Sequence, residues 1–355
     1  MRLLSFLPLE ITLKIYRELG ILERIAMAKL LPNFARAAAL TAEPALSMSL
    51  GARRRRFSDD PPEQYVITVT PKESSPYSRD YCVVLDTYFV EGWRDAHVAA
   101  QPALPGGGQR TRQEIHQERL DDLLRVINVT ELEITWKSET ASVEYHMQDI
   151  VRLKDLPLER IDFKCFFNDT PEVPADFVHM FKLLLENRGL EWEALTVLYS
   201  FQKIEAERIE AILNETFSSV VVPPTWELNI STTEQYVLNV NDLLFAKLPT
   251  VTNFDSSGSN FALTEDEIMR IVHMAALGNL ESCFIKSCWT QETMIDLPHL
   301  QQRLDDEYNG HPEGRQNEGS LLIALPQYKF VLTTGPRLGG GTEGHLRITP
   351  MHGGD

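Results

Sequence analysis

Cysteine is scarce in this chain. Only Cys82, Cys165, Cys283 and Cys288 occur among 355 residues, and a disulfide-stapled secreted scaffold needs more of them at closer spacing. No apolar run approaches the ~18 residues of a membrane span. The apolar opening is broken by Glu10, Lys14, Arg17 and Glu18 before a signal-peptide core could form. A reducing compartment, cytosol or nucleus, is expected. Cationic residues are in deficit as well: 34 Lys and Arg stand against 51 Asp and Glu, a net charge of -17. Such a balance repels phosphate backbones and anionic headgroups, which argues against nucleic acid and membrane as partners. The local exception is Arg53-Arg54-Arg55-Arg56, within a charged, Pro-containing stretch ending near Glu63. It suits a solvated loop, or an import signal or anion contact.

Signatures of catalysis are missing too. There is no His-Glu-x-x-His helix, no Gly-x-Ser-x-Gly elbow and no Gly-x-Gly-x-x-Gly fingerprint. The loop QPALPGGGQRTRQ, from Gln101 to Gln113, lacks the Gly-Lys-Ser/Thr that a phosphate cradle requires. Cys283 and Cys288 are five positions apart, an odd step that on a strand points them to opposite faces. They read as small buried residues rather than metal ligands. No catalytic residue, metal ligand or cofactor is assigned, and a non-enzymatic protein is expected.

What the sequence does contain begins at Leu7. Pro8 suits the first turn of a helix and Gly20 its end, so a short helix is expected from about Pro8 to Leu19. Leu7, Ile11, Ile15 and Leu19 recur every four residues and form one apolar stripe. Leu9, Leu13 and Tyr16 form a second on roughly the opposite side. A helix apolar on both sides must be covered on both. Two further short helices follow, one carrying Ile21, Ile25 and Ala28, the other starting at Pro32 and carrying Phe34, Ala38 and Leu40. The trio could cap the domain behind it, or present its second stripe to a partner protein.

The segment resembles an F-box, whose pattern opens with Leu-Pro, an acidic residue and Ile, then a further apolar series. Here these are Leu7-Pro8, Glu10-Ile11, Ile15 and Leu19, with Glu23 near the following turn. The later half departs from the pattern: Lys29 is followed by Leu30-Leu31, and Phe34 is the nearest aromatic. The resemblance implies that Leu7, Pro8, Ile11, Ile15 and Leu19 contact a Skp-type adaptor of a cullin complex. The chain would then be the target-recognition subunit of an SCF-type ubiquitin ligase. The alternative is a repeat-type interaction scaffold without a ubiquitin role.

Behind Glu63, Tyr65–Val69 and Tyr81–Leu85 are rich in β-branched and aromatic residues and are expected as strands. From about residue 120 a pattern recurs: Val129-x-x-Leu132-x-Ile134, Leu158-x-x-Ile161-x-Phe163, Trp192-x-x-Leu195-x-Val197 and Leu280-x-x-Cys283-x-Ile285. Weaker copies lie near Trp226 and Val251, and the starts fall about 25 to 34 residues apart. Helical patterns separate them. Thr264-x-x-Glu267 forms a capping box ahead of Ile268, Ile271, Val272, Ala275 and Ala276, with Gly278 as the stop; Phe177, Phe181, Leu184 and Leu185 mark another helix. Strand–helix units of this length stack so that each buries its neighbour's apolar face.

Within this region, Asn239 to Ile285 is similar to the F-box-associated domain of nematode-type F-box families. The likeness rests on Asp242-Leu243-Leu244, the Thr264 to Ile268 helix start, and Asn279-Leu280-Glu281-Ser282. It implies target recognition there, with the target unnamed. The expected fold class is α/β. An F-box at 1–45 is followed by a linker with strands at 46–119 and an irregular leucine-rich-repeat-like strand–helix domain at 120–309. The extension at 310–355 is Gly-rich, with one strand pair at about Leu321–Leu325 and Tyr328–Leu332.

Overall fold

The computed structural model describes residues 6–19, 21–40, 43–53, 64–70, 81–84, 118, 120–137, 150–167, 175–186, 192–202, 204–232, 236–289, 295–308, 320–324, 328–336 and 342–350. Gly20, Arg54 to Arg56, the 101–113 loop and the glycines at 310, 314, 319 and 339–341 lie outside them. The architecture is mixed α/β, in two compact units: Met1–Trp136 with Thr140–Ile161, and Lys137–Glu139 with Asp162–Asp355.

The first unit opens with three helices, α1 (Leu9–Glu18), α2 (Ile21–Leu30) and α3 (Pro32–Leu40). Then come strands β1 (Glu43–Arg53), β2 (Gln64–Thr70), β3 (Tyr81–Val84) and β4 (Ile127–Lys137). β1 pairs antiparallel with β2, and β2 with β3. On its other side β1 runs parallel to β4, from Glu43 opposite Ile127 to Gly51 opposite Thr135. β1 is a strand the sequence reading did not place, although Leu46, Met48 and Leu50 alternate with smaller residues. It pairs with β4, the first strand of the repeat pattern, within this unit, and the division between the two units falls inside the span 120–309.

β5 (Arg160–Phe167) leads into the second unit, where the order is β5, α4 (Ala175–Leu185), β6 (Ala194–Phe201), α5 (Ala206–Phe217), β7 (Thr225–Thr232), α6 (Asn241–Lys247), β8 (Asn253–Phe261), α7 (Glu265–Ala276), β9 (Ser282–Trp289) and α8 (Leu297–Tyr308). A meander of β10 (Ser320–Ala324), β11 (Tyr328–Pro336) and β12 (Thr342–Pro350) closes the chain. β6 to β9 lie side by side in sequence order and are parallel, and β12, β11 and β10 continue beyond β9 as antiparallel neighbours. The expected C-terminal strand pair is present, and β12 is an addition to it.

The repeat pattern works through the two-residue period of a strand. Ile161, Phe163, Cys165 and Phe167 on β5, Leu195, Val197, Tyr199 and Phe201 on β6, and Trp226, Leu228 and Ile230 on β7 are buried, and the residues between them are more exposed. Parallel strands in sequence order joined by right-handed crossovers place every connecting helix on the same side. The ring contacts agree. Phe177 and Phe181 of α4 pack edge-on against Phe163, 6.2 and 4.5 Å between centroids, and Phe217 of α5 lies 5.5 Å from Trp226. Backbone bonds step along the array in register: Thr225 N–H donates to Glu193 O, Asn253 N–H to Pro224 O, and Ser282 N–H to Thr252 O.

The helix signals hold where the structure describes them. Thr264 Oγ1 accepts from Glu267 N at 3.3 Å while the Glu267 carboxylate accepts from Thr264 N at 2.7 Å, the reciprocal pair of a capping box. Gly278 ends α7 with φ 77°, a conformation that favours glycine. Cys283 and Cys288 are both buried, Cys288 with its thiol donating to Asn260 Oδ1 at 3.4 Å. Burial pushes the Cys283 thiol well above its usual range, and Asp255 adds to the effect.

Candidate functional sites

Two surfaces hold the candidate residues. The first is α1. Its inward face is Thr12 and Tyr16, both fully buried. The Tyr16 ring meets Phe34 of α3 at 6.4 Å, and the guanidinium of Arg24 lies over it at 5.1 Å. Arg24, only 3% exposed, also finishes the helix. Its Nε donates to Leu19 O at 2.8 Å and its Nη2 to Arg17 O at 3.0 Å, supplying cationic donors to carbonyls that the last turn leaves open. Asn33 Nδ2 holds Leu7 O at 3.2 Å. Further along α2, Lys29 ion-pairs with the buried carboxylate of Asp122.

The sequence-derived residues lie on the remaining faces. Pro8 and Ile11 are exposed, Ile11 by 46%, and Leu7, Ile15 and Leu19 are half-buried. Of the second stripe, Tyr16 is inside and Leu9 and Leu13 are half-buried. Thr12, a polar residue in neither stripe, goes fully inside because it shares the face of Tyr16 one turn away, and its hydroxyl is satisfied by Pro8 O at 3.1 Å. The clamp by Arg24 was not foreseen; a cation four places past the expected helix stop was its only trace in the sequence.

The second surface is the side of the β6–β9 sheet opposite the helices. Thr196 and Leu198 of β6, Glu227 and Asn229 of β7, Asp255 of β8, and Phe284 and Lys286 of β9 are half-exposed there. β7 and β8 pair only from Thr225 opposite Asn253 to Glu227 opposite Asp255. Beyond that point β8 bulges and Ser257 and Gly258 are both exposed. The gap is stitched by side chains: the buried Ser259 hydroxyl donates to Leu228 O at 2.9 Å and accepts from Ile230 N at 2.8 Å, and Gly258 N–H donates to Asn229 Oδ1 at 2.7 Å. A Cβ on Gly258 would sit 2.9 Å from that same Oδ1. On β8 the alternation of apolar residues is broken by serines, so sequence reasoning passed over this surface.

No protein-family model, no curated protein and no solved structure matches the chain. Among the described residues no three His, Cys, Asp or Glu side chains converge as a metal site, and no helix is long and apolar enough to cross a membrane.

Proposed function

We propose that this chain is the target-recognition subunit of an SCF-type (Skp–cullin–F-box) ubiquitin ligase, with the α1–α3 trio docking a Skp-type adaptor and the strand–helix array holding the target. One observation carries the reading. Among the described residues seven large apolar side chains are exposed, and four of them (Phe6, Ile11, Leu30 and Leu40) belong to the three-helix segment. An apolar surface concentrated in so short a segment marks a protein contact. The Leu7-Pro8-x-Glu10-Ile11 opening, by its resemblance, names the partner. Bridging would raise the local concentration of target at the transfer machinery, so that the chemistry occurs on partners and the chain itself supplies none. The compartment that fits is cytosol or nucleus.

Co-purification with a Skp-type adaptor tests this, comparing wild type with Ile11→Arg and Ile15→Arg. Burying an unpaired guanidinium is costly, so both variants should lose the adaptor while remaining folded. Failure of the wild type to bind, under conditions where an established F-box protein does, would overturn the reading in favour of an interaction scaffold.

A further inference from the structure

The side of the sheet away from the helices carries a row of half-exposed side chains at one level. Thr196 is the register partner of Glu227, Glu227 of Asp255, Asp255 of Phe284, and Phe284 of Arg347 on β12. Neighbouring strands lie about 4.8 Å apart, so two carboxylates stand side by side. Like charges so placed repel. Among the described residues neither carboxylate is ion-paired. Neutral donors hold them instead: Asn229 Nδ2 donates to Glu227 Oε1 at 2.6 Å, Thr196 Oγ1 to Glu227 Oε2 at 3.3 Å, and Ser257 N–H to Asp255 Oδ1 at 2.8 Å. The β7–β8 ladder stops at this pair, and the bulge that follows opens the strands beside it.

The flank of the row is of opposite sign. Arg347 lies over the Phe284 ring at 5.2 Å and is exposed; in the next row Lys286 pairs with Glu343 at 3.2 Å, and His345 stacks on Phe284 at 5.8 Å. Two cations and one carboxylate leave that side positive, against a chain of net charge -17. With Leu198 of β6 and Phe284 of β9 half-exposed as well, the surface combines an acidic centre, two separate apolar side chains and a basic edge.

We infer that this face docks an extended protein segment that sets a Lys or Arg side chain on the Glu227–Asp255 pair and an acidic side chain against Arg347. The cation that no described residue gives the pair comes from the ligand. A guanidinium matches two neighbouring carboxylates with its fork of donors. Five strands make the row roughly 20 Å long, the span of a peptide rather than of a small cation. The inference rests on the bridging reading only in calling that segment part of a target.

The test selects a displayed library of random peptides on the full-length chain, then measures the enriched peptides against Glu227→Gln/Asp255→Asn and Arg347→Glu. The expected result is a basic residue at a fixed position and affinity reduced about tenfold or more by the amide pair. A preference for an acidic residue nearby should be lost in Arg347→Glu. The amide variant should also unfold at a higher temperature than wild type, since it removes a repulsion; a carboxylate pair with a purely structural role would lower it. Enriched peptides lacking a basic residue, binding indifferent to the amide pair, or no enrichment at all would each overturn the inference. So would spermine binding that depends on both carboxylates while no peptide binds, which would reassign the row to a small polycation. Adaptor co-purification of the same variants separates the two readings, because these substitutions leave α1 untouched.

Discussion

α5 sends Ile209, Ile212, Leu213, Thr216 and Phe217 below the surface, whereas α1, two residues shorter, buries only Thr12 and Tyr16. Both helices are rich in apolar residues. α5 lies on a sheet with another helix beside it, and its apolar stripe is consumed by that sheet and by α4. α1 packs against α2 and α3, and the apolar side chains it carries exceed what two short helices cover. The array therefore stores its apolar residues as stability, and the trio leaves part of them at the surface.

That contrast can be broken at its strong end first. Phe181 meets Phe163 at 4.5 Å, Phe217 at 5.5 Å and Tyr199 at 6.4 Å between ring centroids. Phe181→Ala empties the centre of that cluster and is expected to cost about 3–5 kcal/mol in denaturant unfolding. A smaller loss on that scale would mean that the array relaxes around the cavity. Next comes the clamp on α1. Arg24→Met keeps most of the side-chain volume and removes the charged donors from Leu19 O and Arg17 O, an expected loss of about 1.5–3 kcal/mol with reduced helical circular dichroism.

Thr264→Ala, which breaks the capping box of α7, should cost about 1 kcal/mol in the same unfolding measurement. Smallest of all is Ile11→Arg, expected to change stability by no more than about 0.5 kcal/mol because the residue is 46% exposed. On the proposed reading, the variant expected to lose the adaptor should thus be among the least destabilising, and a large stability loss there would turn the trio into an ordinary structural cap. Alkaline titration sharpens the array's side of the comparison. Burial raises the Cys165 and Cys283 thiols and the Tyr199 phenol above their ordinary values. Raised groups of this kind give stability that is complete below their unfolded pKa and lost as pH rises past it. Unfolding monitored above the ordinary thiol and phenol range should show that loss.

Legibility in the sequence followed the range of the signal. α1, α2, α3, the cap of α7 and the stop at Gly278 were readable because each rests on neighbours within a few residues. The buried strand positions of β5, β6 and β9 were readable because the two-residue period survives in Ile161, Phe163, Leu195, Val197, Cys283 and Ile285. β1 was not, since its place depends on β4, whose paired residues lie far along the chain. β8 was hidden for a different reason: its sequence, Asn253–Phe261, is mostly serine, glycine and asparagine, and its hydroxyls gain their role only from the carbonyls of β7 and β9.

The apolar stripes of α1, the period of the repeats and the anionic balance are properties of the sequence alone, because helix pitch, strand pleat and charge are local. Three matters were decided by the tertiary structure. Arg24 became a helix clamp only when α2 folded back on α1. Thr12 rather than a second apolar stripe completed the inward face with Tyr16. Glu227 and Asp255 became neighbours only when β7 and β8 paired in their particular register, since residues far apart in a chain acquire a shared chemistry only through the strands that carry them.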